Sequence, residues 1–245
     1  MTPERISFPE DRAALAVDVT DPADVAPSLE ALGLHPPRPA VVIVGGAGGL
    51  APADVQRLRP LFVTGIAPPL EEHQAAAIDG GTRSGIMRLA GETRTALSAS
   101  FPLIGVAAAG TVLRPGRAAA SDDAAQLEPN HTHFLLVPGD SWGAESVWIA
   151  RTAAALSAGA TSATVLINGG SIAVDDVAHS IDAGRRVVVV AGSGRTADAF
   201  ADALAGAGTD RRVHALAASG LISAVPADEP AKLAQALADV LGAGP

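Results

Sequence analysis

The chain of 245 residues has a formal net charge of −9, no cysteine, and a hydrophobic fraction of 48%. This composition excludes a disordered chain and any disulfide or thiolate metal site, and the acidic balance disfavours binding to nucleic acid, which needs a basic patch. The apolar runs are far shorter than the roughly 20 residues of a membrane span, and residues 1–10 have no apolar signal-peptide core. We therefore expect a cytoplasmic protein that contacts neither membrane nor nucleic acid.

Residues 1–39 are predicted to form a lead-in that packs on the main core. Within it, residues 15–19 fit a short strand and residues 23–34 a helix opened by Asp21 and Pro22, since proline suits the first helical turn. The proline-rich stretch 35–39 is a stiff connector. Because the preceding segment is too short for its own core, we expect a single domain over residues 1–245.

A repeating unit of an apolar strand, a glycine-rich turn and a helix follows from residue 40. The strands are predicted at residues 40–44, 75–78, 102–106, 132–137, 164–167, 186–190 and 213–216, and the helices at 52–62, 84–98, 144–157, 172–183, 196–204 and 230–241. The strands are continuous apolar runs, which is typical of parallel strands buried on both faces. The pattern predicts a Rossmann-like, doubly wound α/β fold with a mostly parallel sheet and helices on both faces.

The glycine-rich strand ends are the strongest functional signal. In open α/β sheets, ligands bind outside the carboxyl ends of the strands, where glycine lets backbone amides approach an anion and a helix N-terminus adds positive charge. One such loop could serve only a tight turn, but several in succession favour an anion-binding crevice. The candidate ligand-binding residues are Gly45, Gly46, Gly80, Gly81, Thr82, Ser84, Gly85, Pro138, Gly139, Asp140, Arg151, Gly169, Gly170, Gly192, Ser193, Gly194 and Arg195.

Several of these residues have a structural alternative. Thr82 and Ser84 could hold a phosphate or simply cap a helix. Arg195 opposes the dipole of the helix that it begins, and a bound anion would resolve that conflict. Trp142 could stack on a base or pack against its own helix, and Arg151, two turns into a helix, could point back to the crevice.

Catalytic and metal-binding signals are weak. His131 and His133 would share one strand face, but zinc needs a third ligand and none is evident, so we expect a structural or hydrogen-bonding role and no metal. The sequence has no Gly-x-Ser-x-Gly elbow, no Walker A motif and no intact Gly-x-Gly-x-x-Gly fingerprint. We assign no catalytic residue and expect no required cofactor.

Four distinctive segments occur in this order: Asp-Gly-Gly-Thr-Arg-Ser-Gly-Ile-Met at 79–87, Pro-Leu-Ile-Gly-Val at 102–106, Glu-Pro-Asn-His-Thr-His-Phe-Leu-Leu-Val at 128–137 and Gly-Ser-Gly-Arg-Thr-Ala-Asp at 192–198. Together they resemble the SLOG superfamily, specifically the LSDAT group of prokaryotic stand-alone relatives of the N-terminal SLOG domain of TRPM ion channels. The resemblance covers about residues 40–205. It implies a Rossmannoid fold with a pocket for nucleotide-derived ligands, of which ADP-ribose is the best-known example in the channel domains. Our main hypothesis is therefore a protein that senses a nucleotide-derived ligand such as ADP-ribose, an NAD derivative or a cyclic nucleotide. Its partners would be this small molecule and, as an open alternative, further copies of the chain in a homo-oligomer.

The resemblance also implies which loops hold the ligand. In the family these are the Gly-Gly-Thr and Gly-Ser-Gly-Arg loops, which correspond here to Gly80, Gly81, Thr82 and Gly85, and to Gly192, Ser193, Gly194 and Arg195. The segment beginning at Pro138 stands where the channel domains have an acidic loop, so contacts there are a weaker expectation.

The same superfamily offers an enzymatic alternative, because its LOG-type members hydrolyse the N-glycosidic bond of nucleoside monophosphates. Those enzymes carry Pro-Gly-Gly-x-Gly-Thr-x-x-Glu. Here Asp140 follows Pro138-Gly139, Gly143 is displaced by one position, and Ser146 stands in place of the glutamate, although the adjacent Glu145 could substitute. We therefore favour binding over hydrolysis. A structural module with a vestigial pocket is the third alternative.

Overall fold

The computed structural model describes residues 2–46, 48, 50–117 and 121–243. Its strands are β1 (Glu4–Ser7), β2 (Ala13–Asp18), β3 (Ala40–Gly45), β4 (Ala76–Asp79), β5 (Leu103–Ala108), β6 (Val112–Leu113), β7 (Ala125–Gln126), β8 (His133–Val137), β9 (Ser162–Ile167), β10 (Arg186–Ala191) and β11 (Ile222–Pro226). Its helices are α1 (Val25–Ala31), α2 (Pro52–Pro60), α3 (Ala67–Glu72), α4 (Gly85–Ala96), α5 (Ser146–Ser157), α6 (Ser171–Asp182), α7 (Arg195–Leu204), α8 (Arg211–Ala217) and α9 (Pro230–Gly242). A 3-10 turn precedes α1, and a π-helical segment joins α2 to α3.

Nine strands form one sheet in the order β1-β2-β8-β5-β4-β3-β9-β10-β11, and every neighbouring pair except β1 and β2 is parallel. The predicted Rossmann-like α/β fold is therefore confirmed. The lead-in joins the same sheet, because β2 pairs in parallel with β8.

The alternation of side chains along β3 shows how the sheet is covered on both faces. Val42 and Val44 pack in a core that also contains apolar residues of α1, α5, α6, α7 and α8. Val41 and Ile43 point to the other face, where they join a core with residues of α2, α3, α4 and α9. Both faces of β3 are thus buried, which is why its sequence is a continuous apolar run.

Two elements of the sequence prediction are corrected. Residues 213–216, predicted as a strand, lie in helix α8, whose first turn is capped by Asp210: its carboxylate accepts hydrogen bonds from the backbone N–H groups of Arg212 and Val213. The last strand of the sheet is instead β11. The antiparallel edge strand β1 was not predicted, since a single apolar residue, Ile6, faces inward among charged and polar neighbours.

The order of strands creates a switch point between β3 and β9. From β3 the chain proceeds through β4 and β5 towards one edge of the sheet, whereas from β9 it proceeds through β10 and β11 towards the other. The loops that follow β3 and β9 therefore diverge and leave a crevice between them at the carboxyl ends of the strands. In the ranges that the structure describes, no helix is both long and apolar enough to cross a membrane.

Candidate functional site

A crevice of about 340 Å³ opens at this switch point. Its walls come from the carboxyl ends of four strands and the loops that follow them. They are Gly45 at the end of β3 with Gly46 and Gly48 after it, Gly80 and Thr82 after β4, Gly170 and Ser171 after β9, and Arg195 after β10. The structure thus brings together Gly45, Gly46, Gly80, Thr82, Gly170 and Arg195 of the predicted set. Positions 47 and 49 of the first loop lie outside the described residues.

Arg195 supplies the positive charge of the crevice. Its guanidinium reaches across from the β10 loop, so that a methyl group added at Gly170 would lie 3.1 Å from Nη2 and one added at Gly46 would lie 3.7 Å from Nη1. The residue has a φ of 53°, a conformation that non-glycine residues rarely adopt and that is often found at functional sites. No carboxylate within the described ranges is close enough to form an ion pair with it.

The N-terminus of α6 lies beside this guanidinium. Gly170 is the N-cap of α6, and its side-chain-free backbone leaves the first amides of the helix without a side-chain cap. Such amides carry partial positive charge. The guanidinium and the helix end therefore form a positive subsite, which we call the anion subsite, made of Gly46, Gly170, Ser171 and Arg195.

Three predicted residues do not line the crevice but stabilise the loops after β9 and β10. Ser193 is 1% exposed, and its hydroxyl donates to the carbonyl of Val190 and accepts from the N–H of Asn168. Gly169 and Gly194 both have positive φ, and a side chain added to either would meet atoms closer than 3 Å. These residues fix the conformations of the β9 and β10 loops rather than line the crevice.

In the loop after β4, too, some predicted residues line the crevice and others hold the loop in its conformation. Gly80 and Thr82 line the crevice. Gly81 has a φ of 67° and packs so closely on β5 that an added Cβ would lie 2.8 Å from the Cα of Gly105. Ser84 is the N-cap of α4, its hydroxyl lies 2.9 Å from that of Thr82, and Gly85 begins the helix.

Five predicted residues lie away from the crevice. Arg151 is exposed and stacks on Trp148, with its guanidinium carbon 5.5 Å from the ring centroid. Gly192 accepts a hydrogen bond from Arg57 and borders a neighbouring cavity. Besides the loop-supporting glycines and serines described above, the predicted residues that do not line the crevice are Pro138, Gly139, Asp140, Arg151 and Gly192.

Two carboxyl groups that were not among the predicted site residues line the crevice. Glu145 is the N-cap of α5, accepts a hydrogen bond from the N–H of Gly143, and has a pKa raised by burial. Burial also raises the pKa of Asp176 to about 7; the Ser146 hydroxyl opposes this shift, and the charges of Glu145 and Asp175 add to it. The sequence signal that could have identified Asp176 is its position, because it falls on the apolar face of the predicted helix 172–183.

The remaining wall of the crevice is apolar. It includes Met87 from α4, Ile149 from α5, Ile172 from α6 and the ring of Trp142, which is 37% exposed. The crevice thus combines a cation, two carboxyl groups and an apolar wall. The described residues include no cluster of three or more histidine, aspartate or glutamate side chains suited to a metal ion.

A buried charged network supports the loop after β4. His131 lies between Asp79 and Glu128, with Nε2 2.8 Å from Asp79 Oδ1 and Nδ1 2.9 Å from Glu128 Oε2. Burial alone would lower the pKa of His131, but the two carboxylates outweigh it and raise the pKa to about 9. Asp79 Oδ1 also accepts from the N–H of Gly81, and Glu128 N–H donates to the Gly81 carbonyl. The network therefore fixes the Gly80–Thr82 turn.

The predicted common strand face of the two histidines is wrong. His131 precedes β8 and turns inward, whereas His133 begins the strand. Burial, together with the charges of Arg94 and Arg38, lowers the pKa of His133 to about 4 despite an opposing backbone hydrogen bond. The two side chains therefore lie in opposite electrostatic environments.

The fold and the crevice define a Rossmann-like α/β protein with a crevice at the switch point of its sheet. Residues 38–235 match the family described as "SLOG in TRPM, prokaryote", and the chain belongs to this family. The crystal structure of the structural-genomics target TM1055 is similar, with a TM-score of 0.51 and 17% identity, covering 80% of this chain and 98% of that one. That likeness shows the fold alone. No curated protein matches the sequence.

Proposed function

We propose that the protein binds a nucleotide-derived, phosphate-bearing ligand in the switch-point crevice, and that its role is to sense that ligand. The observation that supports this most is the anion subsite. Arg195 and the N-terminus of α6 place positive charge side by side, and the guanidinium is not paired with a carboxylate of the described chain. A phosphate there would accept charge-assisted hydrogen bonds from both.

The other walls suit the rest of a nucleotide. Trp142, Ile149 and Ile172 provide apolar surface against which a base can pack. Membership of the SLOG family supports the same class of ligand, and ADP-ribose, NAD derivatives and cyclic nucleotides are our candidates within it.

Calorimetric titration tests this proposal. The purified protein is titrated with AMP, ADP, ADP-ribose, NAD and cyclic AMP, with adenosine as the control that lacks phosphate. We expect at least one phosphate-bearing compound to bind and adenosine to bind far more weakly, because it cannot use the anion subsite. If no nucleotide binds, the proposal is wrong.

Hydrolysis of an N-glycosidic bond is a second candidate, favoured by one observation: Glu145 lines the crevice although it is displaced from the expected motif position. In this reaction water attacks C1′, the bond to the base breaks, and the base leaves with a proton to give ribose 5-phosphate. A carboxylate near C1′ would stabilise the cationic transition state.

If Glu145 performs this role, nucleoside monophosphates should release free base on incubation with the protein, and Glu145→Gln should reduce the rate by at least about 100-fold. Chromatographic detection of free base checks this. Nucleotide that remains intact after prolonged incubation would leave binding as the only function of the crevice.

A further inference from the structure

Asp176 is a carboxyl group in the crevice wall, close to the Ser146 hydroxyl. It lies in the second turn of α6, and its Oδ1 is shielded from solvent without a hydrogen-bond partner in the described part of the protein. A shielded acceptor without a partner is unfavourable for folding. Proteins commonly retain such a group where a ligand, rather than the fold, needs it.

The surroundings of Asp176 define what could satisfy it. Glu145, at the N-cap of α5, and the Ser146 hydroxyl lie near it. Asp175 precedes it on α6 but forms an ion pair with Arg212 of α8 at the surface. Arg195 contributes to the lining from α7. This part of the wall therefore offers acceptors, and the ligand group that fits it is a hydrogen-bond donor without negative charge.

In a nucleotide whose phosphate occupies the anion subsite, the nearest such donors are the sugar hydroxyls, because they lie between the phosphate and the base. Carboxylates are well suited to accept from ribose hydroxyls, as they do in dinucleotide-binding folds. We propose that Asp176, together with Glu145, accepts hydrogen bonds from the ribose hydroxyls of the bound nucleotide, so that the crevice selects ribonucleotides over 2′-deoxyribonucleotides. This inference rests on the proposed function.

The effect of Asp176 on folding stability distinguishes a ligand-binding role from a structural one. The pKa of Asp176 in the folded protein, about 7, lies above the ordinary value of 3.8. The folded state therefore binds the proton more tightly than the unfolded chain, and this group reduces stability as pH rises from 3.8 through about 7. Removing the carboxyl should raise the melting temperature at neutral and alkaline pH, whereas removing a structural partner would lower it.

The test compares wild type, Asp176→Ala and the control Asp175→Ala by calorimetry against the four ribonucleoside monophosphates and their 2′-deoxy counterparts. We expect wild type to prefer the ribose form of its best ligand by about tenfold or more, the value of one well-placed hydrogen bond to a charged acceptor. Asp176→Ala should lose this preference while it retains affinity for the deoxy form. Asp175→Ala should behave as wild type.

Melting curves for the same proteins near neutral pH complete the test, and we expect Asp176→Ala to melt above wild type. Equal affinity of wild type for ribose and deoxyribose forms would overturn the inference while leaving the proposed function intact. So would a ribose preference that survives in Asp176→Ala, or a lower melting temperature of that variant. Failure of every nucleotide to bind would overturn both.

Discussion

Replacing His131 with alanine is expected to destabilise the protein by about 3–5 kcal/mol, the cost of breaking a buried ion pair by removing one partner. The imidazolium lies between the carboxylates of Asp79 and Glu128, and none of the three side chains is more than 1% exposed. Without the cation, two buried carboxylates would face each other with no compensating charge. The turn that includes Gly81 would also lose support, because the Gly81 N–H donates a hydrogen bond to the Asp79 carboxylate.

The same network predicts a loss of stability at alkaline pH. The pKa of His131 is raised from 6.5 to about 9 in the folded protein, so its contribution is complete below pH 6.5 and is lost as pH rises through about 9. Denaturant unfolding of wild type and His131→Ala from about pH 6 to about pH 10 measures this directly. The difference in unfolding free energy between them should shrink across that range.

His133→Ala is the matched control for this experiment. Its pKa is lowered to about 4, so it is neutral throughout the range and its removal should leave the alkaline slope unchanged. A constant difference between wild type and His131→Ala from neutral to alkaline pH would mean that His131 is not held as a cation.

Replacing Arg195 with alanine is expected to weaken nucleotide binding by about 10- to 150-fold, which corresponds to about 1.5–3 kcal/mol for a hydrogen bond to a charged group. The guanidinium lies beside the backbone of Gly46 and Gly170, where a phosphate would also meet the first amides of α6. Stability should change little, because no ion pair of Arg195 holds the described structure together.

Arg151→Ala is the control for the change in net charge. Arg151 stacks on Trp148 outside the crevice. Its replacement therefore changes the net charge by the same amount as Arg195→Ala but leaves the anion subsite unchanged. Calorimetry should give an affinity close to that of wild type. If Arg151→Ala and Arg195→Ala weaken binding equally, the effect of Arg195 is general electrostatics and the anion subsite is wrongly placed.

The central part of the fold could be predicted from sequence because its strands are buried on both faces. Strand β3 and the part of β10 after Arg186 appear as uninterrupted apolar runs. At the edges this signal fails. Residues 213–216 fit a short strand by their apolar content, but they lie in α8, and Asp210 is the helix-start signal in the sequence that favours the helix.

The candidate site was only partly predictable, for a different reason. Glycine-rich turns mark where strands end, so Gly46, Gly80 and Gly170 could be identified from sequence as neighbours at one edge of the sheet. Sequence does not tell which glycines face a ligand and which, like Gly81, allow close packing behind it. Asp176 also depends on tertiary geometry, because its environment is created by α5 packing on α6.

The most direct test of the proposed nucleotide site is a crystal structure of the protein with the nucleotide that binds most tightly in the titrations. We predict phosphate density within hydrogen-bond distance of the Arg195 guanidinium and of the first amides of α6, with the base against the apolar wall near Trp142. A well-ordered nucleotide elsewhere, for example in the cavity lined by Arg38 and His73 at the opposite ends of the strands, would contradict it.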